Sequence, residues 1–279
     1  DRYPKEFRGI IIRDRLQQAE DQFEQTITYL KDFQPILHTL PEMLGYPDER
    51  KYLVIFQNDG ELRPTGGFMT AYAILKADSG KITAESSNDI YHLDEKFNSN
   101  VDAPDPIKRY LLSADLNVGL VPNWYLRDMN LSPDYKVSMD TFYRYYQQVP
   151  GEPEVQGIIA IDTKILKDLV TLLGPLDVPG YGKFTMEPDD RCHGIPNLIC
   201  ELEHLVGIPI PGIRQDRKGV LGPMMQAIMQ KAMTAPTSHW PAFFKLAMQN
   251  MQEKHFLMYY MDEAEQKAAE EINAAGRIN

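Results

Sequence analysis

Three runs near one another, KYLVIFQ (51–57), FMTAYAILKA (68–77) and KITAESSNDIYHL (81–93), constrain this chain most. They are short, rich in β-branched and aromatic residues, and bounded by turn residues, which predicts strands over 52–57, 68–77 and 82–91. Asp78-Ser79-Gly80 joins the second to the third as a hairpin turn. Further along, VQGIIAID predicts a buried strand at 156–161 and runs into TKILKDLVTLLG, a helix stopped by Gly174-Pro175. HFLMYYM predicts a last strand at 255–260, ahead of a helix DEAEQKAAEEINAAG that ends at Gly276. Further helices are expected from about Asp105-Pro106, over VSMDTFYRYYQQV, and near 196–206, 216–234 and 240–252. Strands and helices alternate mid-chain, with helices at both ends. That order implies an α/β fold, a mixed central sheet flanked by helices.

An extra element precedes the strands. Ile12, Leu16, Ala19, Phe23, Ile27, Leu30, Phe33, Leu37, Leu40 and Leu44 recur at steps of three and four, the spacing of an amphipathic helix. Pro35 must kink it or split it into a helical hairpin. The expected organisation is therefore an N-terminal helical segment, 1–50, packed through this stripe onto a single α/β core, 51–279.

Charge narrows the function. A net charge of −11 excludes a general nucleic-acid binder, because such a surface has no excess of cations to release counterions from a phosphate backbone. No apolar run approaches the ~20 residues that cross a bilayer. The chain begins at Asp1 rather than Met, and we read it as a piece of a longer protein. Cys192 and Cys200 would lie ~12 Å apart on one continuous helix, too far to bridge. The Gly194-Ile195-Pro196 break also allows a loop-to-helix geometry in which a disulfide closes. Two unpaired thiols, or a zinc ion shared with His204, are the other readings.

Standard catalytic signatures are absent: there is no P-loop, dinucleotide-binding glycine fingerprint, G-x-S-x-G elbow or H-E-x-x-H. His92, His193, His204, His239 and His255 are scattered and read as structural. Three polar clusters remain. In ELRPTGGFM, Arg63 stands beside Gly66 and Gly67, where freed N–H groups and a guanidinium form either an anion seat or merely a bend. Arg127, Asp128, Asn130, Ser132 and Asp134 crowd one loop. Arg214, Arg217 and Lys218 open a helix, whose N-terminal N–H groups favour phosphate. Each has a plainer reading, a solvated face or a salt bridge.

Four segments carry a resemblance: YLVIFQNDGELRPTGGFMTAYAIL, LRDMNLSPDYKVS, VQGIIAIDTKILKDLVTLLGPLDVPGYG and KHFLMYYMDEAEQKAAEEINAAGRI. In this order they resemble the bacterial domain-of-unknown-function family 4012, from about residue 10 to the C-terminus. That likeness implies an extracytoplasmic domain held at the cell membrane by an anchor ahead of it. VQGIIAIDTKILKDLVTLLGPLDV and QDRKGVLGPMMQAIMQKAM are, more remotely, similar to the LytR–CpsA–Psr family, which moves glycopolymers from polyprenyl-pyrophosphate carriers to the cell wall. By that resemblance Arg63, Arg214 and Arg217 face the pyrophosphate. Asp89 and Asp128 are the candidate catalytic acids and, with Asp134, candidate Mg²⁺ ligands. Gly66, Gly67, Arg127, Asn130 and Lys218 complete the ligand-binding set. The chain departs from that pattern at two places. Pro64-Thr65-Gly66-Gly67 stands where the ligases carry an acid after the first arginine, and Asn88-Asp89 stands where they carry an Arg-Asp pair. Two readings follow: a transferase acting on a lipid-linked glycopolymer, or a non-catalytic envelope module that binds or scaffolds.

Overall fold

A computed structural model describes residues 6–7, 10–11, 13–110, 123–207 and 219–278. The elements in chain order are β1 (Glu6–Phe7), β2 (Ile10–Ile11), α1 (Arg13–Leu37), α2 (Leu40–Met43), β3 (Arg50–Asn58), β4 (Phe68–Asp78) and β5 (Lys81–Asp89). Then come α3 (Ile90–Phe97), α4 (Asp105–Tyr110), α5 (Tyr135–Tyr146), β6 (Gly157–Asp162), α6 (Thr163–Leu173), β7 (Leu176–Val178) and β8 (Gly182–Phe184). The chain closes with α7 (Asn197–Gly207), α8 (Leu221–Met233), α9 (Trp240–Gln252), β9 (Phe256–Tyr260) and α10 (Glu263–Glu271). Among the described residues no helix is long and apolar enough to cross a membrane.

Five strands form one mixed sheet in the order β5-β4-β3-β6-β9. Only β3 and β6 run parallel, with Tyr52 opposite Gly157 and Gln57 opposite Asp162. The other pairings are antiparallel. The middle of β3 is apolar on both faces, as a central strand covered from two sides must be. Leu53 and Ile55 are fully buried with Tyr72, Phe142 and Tyr146 under α3 and α5. Tyr52 points the other way, into a cluster with Ile36, Met43, Met251, Tyr260 and Ala269 that α9 and α10 cover. A third cluster, around Phe184, Leu198 and Met224, holds the β7–β8 hairpin, α7 and α8 together. That hairpin escapes the sequence reading, since three-residue strands leave no period to detect.

Aspartates set the helix starts. Asp89, Asp134, Asp162 and Asp262 each accept backbone N–H groups from the first turn of α3, α5, α6 and α10. The last helix stops at Glu271, not at Gly276. Asn273 takes the left-handed conformation (φ 61°), and the Ala274 N–H closes back on the Ala269 carbonyl, a helix-ending arrangement that asparagine tolerates. Helix α8 starts at Leu221 rather than 216, although 216–218 lie outside the described residues.

The largest correction concerns α1. Pro35 sits in its last turn, and the break comes after Leu37 rather than at the proline. Its stripe is not buried: Leu16, Phe23, Ile27 and Leu37 are exposed, and among the described side chains only Ile36 near its end enters the core. A helical period records which face is apolar, not what covers it.

Cys192 and Cys200 form a disulfide with a Cα–Cα distance of 5.7 Å. A short 3₁₀ turn at Asp190–Cys192 and the left-handed His193 bring Cys192 back over the start of α7. Reduction of this bond is expected to lower the stability of the third cluster by about 2–3 kcal/mol, from the chain entropy of a short closed loop. Denaturant unfolding with and without a phosphine reductant measures it.

Candidate functional site

Parallel pairing places the carboxyl ends of β3 and β6 at one edge of the sheet, the position at which open α/β sheets bind ligands. The loop 59–67 begins there. Gly66 has φ +119°, and a Cβ on Gly67 would stand 2.4 Å from the Asn58 carbonyl oxygen, so the backbone passes directly over the end of β3. Thr65 is pinned beneath this bend. Its hydroxyl accepts hydrogen bonds from Gln57 Nε2 (3.0 Å) and Asn130 Nδ2 (2.8 Å), and Asn130 Nδ2 also donates to the Gly67 carbonyl (3.0 Å). With both acceptor positions used, the Thr65 proton is left for a third group.

On one side of the loop the structure joins two clusters that the sequence kept separate. Arg63 and Arg127 share Asp128, at 3.3 Å to Oδ1 and 3.4 Å to Oδ2. Arg63 also pairs with Glu61 (3.5 Å) and lies over the Phe68 ring. Arg127 pairs with Asp94 at 2.7 Å and is held between the rings of Tyr91 and Tyr125. Burial pushes the Asp94 carboxyl up to about 6, against the pull of Arg127. It raises Asp128 as well, against Arg127 and Arg63. Burial also works against the charge on Arg127, but Asp94 and Asp128 more than offset it and hold the guanidinium above its ordinary value. Two cations therefore meet three carboxylates. This is a neutralised strut between the loop, α3 and the turn at 126–128.

Around Thr65, on the other side, opens a cleft of about 310 Å³, lined among others by Gly66, Tyr135, Asp162, His255 and Arg277. His255 Nδ1 lies 2.5 Å from Asp162 Oδ2. Asp162 Oδ1 meanwhile caps α6 through the N–H groups of Lys164 and Ile165. A carboxylate only accepts, so the imidazole donates through Nδ1, leaving Nε2 3.8 Å from Glu253. Arg277 is tied to Asp134 (3.0 Å) and Glu270 (2.7 Å). Burial opposes the charge on Asp134, yet hydrogen bonds from Arg277, Val137 N and Ile278 N hold its carboxyl below the usual range. Tyr135 is 1% exposed and its hydroxyl has no hydrogen-bond partner among the described residues.

The family model described as "Protein of unknown function (DUF4012)" matches residues 48–190, just over half of the 279 residues. The chain belongs to this family. No curated protein sequence matches it. Among solved structures it is similar to the Lin1025 protein of Listeria innocua, with 14% identity and a TM-score of 0.38, covering 81% of this chain and 80% of that one. It is also similar to gbs0355 of Streptococcus agalactiae (14%, TM-score 0.43, 86% and 75%) and to a LytR-Csp2A-Psr enzyme of Actinomyces oris (13%, 0.37, 82% and 76%). The fold described above rests on this chain's own sheet order, not on these likenesses. The DUF4012 segment contains the glycine loop, the arginine pair, Tyr135 and Asp162; His255 and Arg277 lie beyond it.

The structure thus gathers Arg63, Gly66, Gly67, Arg127, Asp128 and Asn130 around one loop. Asp89 caps α3 through the Tyr91 N–H. Arg214, Arg217 and Lys218 lie outside the described residues. Asp128 is held between two guanidinium groups and Asp134 by Arg277. Sequence reasoning missed Tyr135, Asp162, His255 and Arg277. Asp162 carried a readable signal, a cap residue at a strand-to-helix junction. A lone histidine 93 residues away carried none.

Two outcomes test this geometry. Gly67→Ala is expected to cost about 2 kcal/mol or more, because its new methyl group meets fixed backbone at Asn58; chemical denaturation reads it. Asp94 binds its proton more tightly folded (about 6) than unfolded (near 3.8), so its contribution to stability rises as pH falls from 7 toward 4. Asp94→Asn should remove a component of that slope worth roughly 2–3 kcal/mol, measured by denaturation across the same range.

Proposed function

We propose that this DUF4012 domain is a binding module of the bacterial cell envelope whose cleft takes the hydroxyl-rich part of a glycopolymer, without transferring it from its carrier. The observation that carries this reading is the cleft lined by Thr65 and Tyr135, where the Thr65 hydroxyl already accepts twice and the Tyr135 hydroxyl, buried behind the wall, has no partner among the described residues. A buried donor without an acceptor is costly, and a ligand oxygen that reaches past the Tyr135 ring supplies the missing partner. Thr65 offers a second proton, and His255 Nε2 a further polar atom beside Glu253. The cleft's fixed charges, Asp59, Asp162 and Glu253 against Lys254 and Arg277, are close to balanced, which suits sugar hydroxyls better than pyrophosphate. Of the arginines named for a pyrophosphate, Arg63 is already matched by carboxylates, as is its neighbour Arg127. The disulfide supports an extracytoplasmic setting, since such bonds persist in oxidising compartments, with membrane anchoring supplied by a segment outside these residues.

Wall oligosaccharides, prepared with and without their phosphate, should raise the melting temperature in a saturable way. Tyr135→Phe is expected to stabilise the unliganded domain by about 1 kcal/mol while weakening oligosaccharide binding about tenfold. If inorganic pyrophosphate alone stabilises the chain and Arg63→Ala abolishes that effect, the ligand seat is the arginine pair and the glycan reading is wrong.

A further inference from the structure

Helix α1 leaves in solvent the side chains that should bury it. Phe23 is 74% exposed, and Leu16, Ile27 and Leu37 are 41, 43 and 47% exposed, while Ile36, in the last turn, is 4% exposed inside the core. Among the described side chains, then, the helix is fastened at one end and bare along the rest. Its sequence has a tighter order than a general apolar stripe. Ile12, Leu16, Ala19, Phe23, Thr26, Leu30, Phe33, Leu37 and Leu40 alternate steps of four and three, and only Thr26 breaks the apolar series. Within α1 itself, from Leu16 to Leu37, that is a seven-residue repeat sustained over three heptads, the seam of a coiled coil.

We infer that α1 is a parallel coiled-coil interface between two copies of this chain, with Leu16, Ala19 and Phe23 on its exposed seam. In a parallel pair, the residue just before each first seam position faces the residue five further on in the other helix. Arg15 thereby faces the partner's Glu20, and Glu20 faces the partner's Arg15, so two opposite-charge pairs flank the seam. The next such positions, Gln22 and Ile27, bring no repulsion. Orientation follows from the docked end. Parallel pairing lays bare half against bare half, whereas full antiparallel overlap would press the bare half of one helix on the turn whose Ile36 is already buried in its own core. A membrane surface fits less well. The helix carries Asp14, Glu20, Asp21, Glu24 and Asp32 against Arg13, Arg15 and Lys31, where an interfacial helix has a basic polar face.

Sedimentation equilibrium of the 279-residue chain should give twice its 32.0 kDa. Leu16→Cys should form an inter-chain disulfide on mild oxidation, since the two native cysteines are paired with each other; Asp21→Cys, on the outer face, should not. Arg15→Glu is expected to weaken the dimer about tenfold, and Arg15→Glu combined with Glu20→Arg to restore it. A monomer at all concentrations overturns the inference. So does a dimer in which Leu16→Cys fails to cross-link, or in which the charge reversal changes nothing.

Discussion

The parallel pairing of β3 with β6 is the constraint on which the rest depends. Two parallel neighbours cannot be joined by a turn, so the chain must travel from Asn58 to Gly157 before the second strand can be laid down. That excursion contains β4, β5, α3 and α5, and with them Arg63, Thr65, Arg127, Asp128, Asn130 and Tyr135. It also brings Asn58 and Asp162 to the same edge of the sheet. The antiparallel β9 then delivers His255 to that edge from the opposite direction. One pairing rule thus gathers a loop, a cap residue and a histidine that the sequence holds far apart.

Thr65 divides what this edge supports. Toward the sheet it is clamped by Gln57 and Asn130; outward it lines the cleft. Beyond it, the arginine pair is saturated by acids. In a chain of net charge −11 that balance is unsurprising, because unmatched cations at low exposure would repel one another while matched ones fix three elements to each other. The two sides of one loop therefore differ in kind. One is closed by ion pairs, and the other leaves hydroxyl and imidazole groups with bonds still to make.

The third hydrophobic cluster is a satellite rather than part of the sheet's core. It is closed by a short hairpin, a disulfide and two helices, and α8 returns it to β5, where Gly222 stands so close that a Cβ would reach 2.5 Å from Ser87 Oγ. A satellite of this size buries few large side chains, which is where a covalent closure adds most.

By itself the sequence determined the elements. The five strands and most helices follow from local patterns, because a period of two or of 3.6 is decided within a few residues. Gly66 and Gly67 were equally legible, since only glycine tolerates such a backbone. Tertiary structure alone decided the partners: Arg127 with Arg63 on Asp128, Asp162 with His255, Arg277 with Asp134, and a Tyr135 hydroxyl with none. It also decided that Leu16, Phe23, Ile27 and Leu37 on α1 stay exposed. These facts depend on which surfaces meet across tens to more than a hundred residues of chain. Short-range pattern fixes what each segment is able to bury, and only the packed sheet fixes against what.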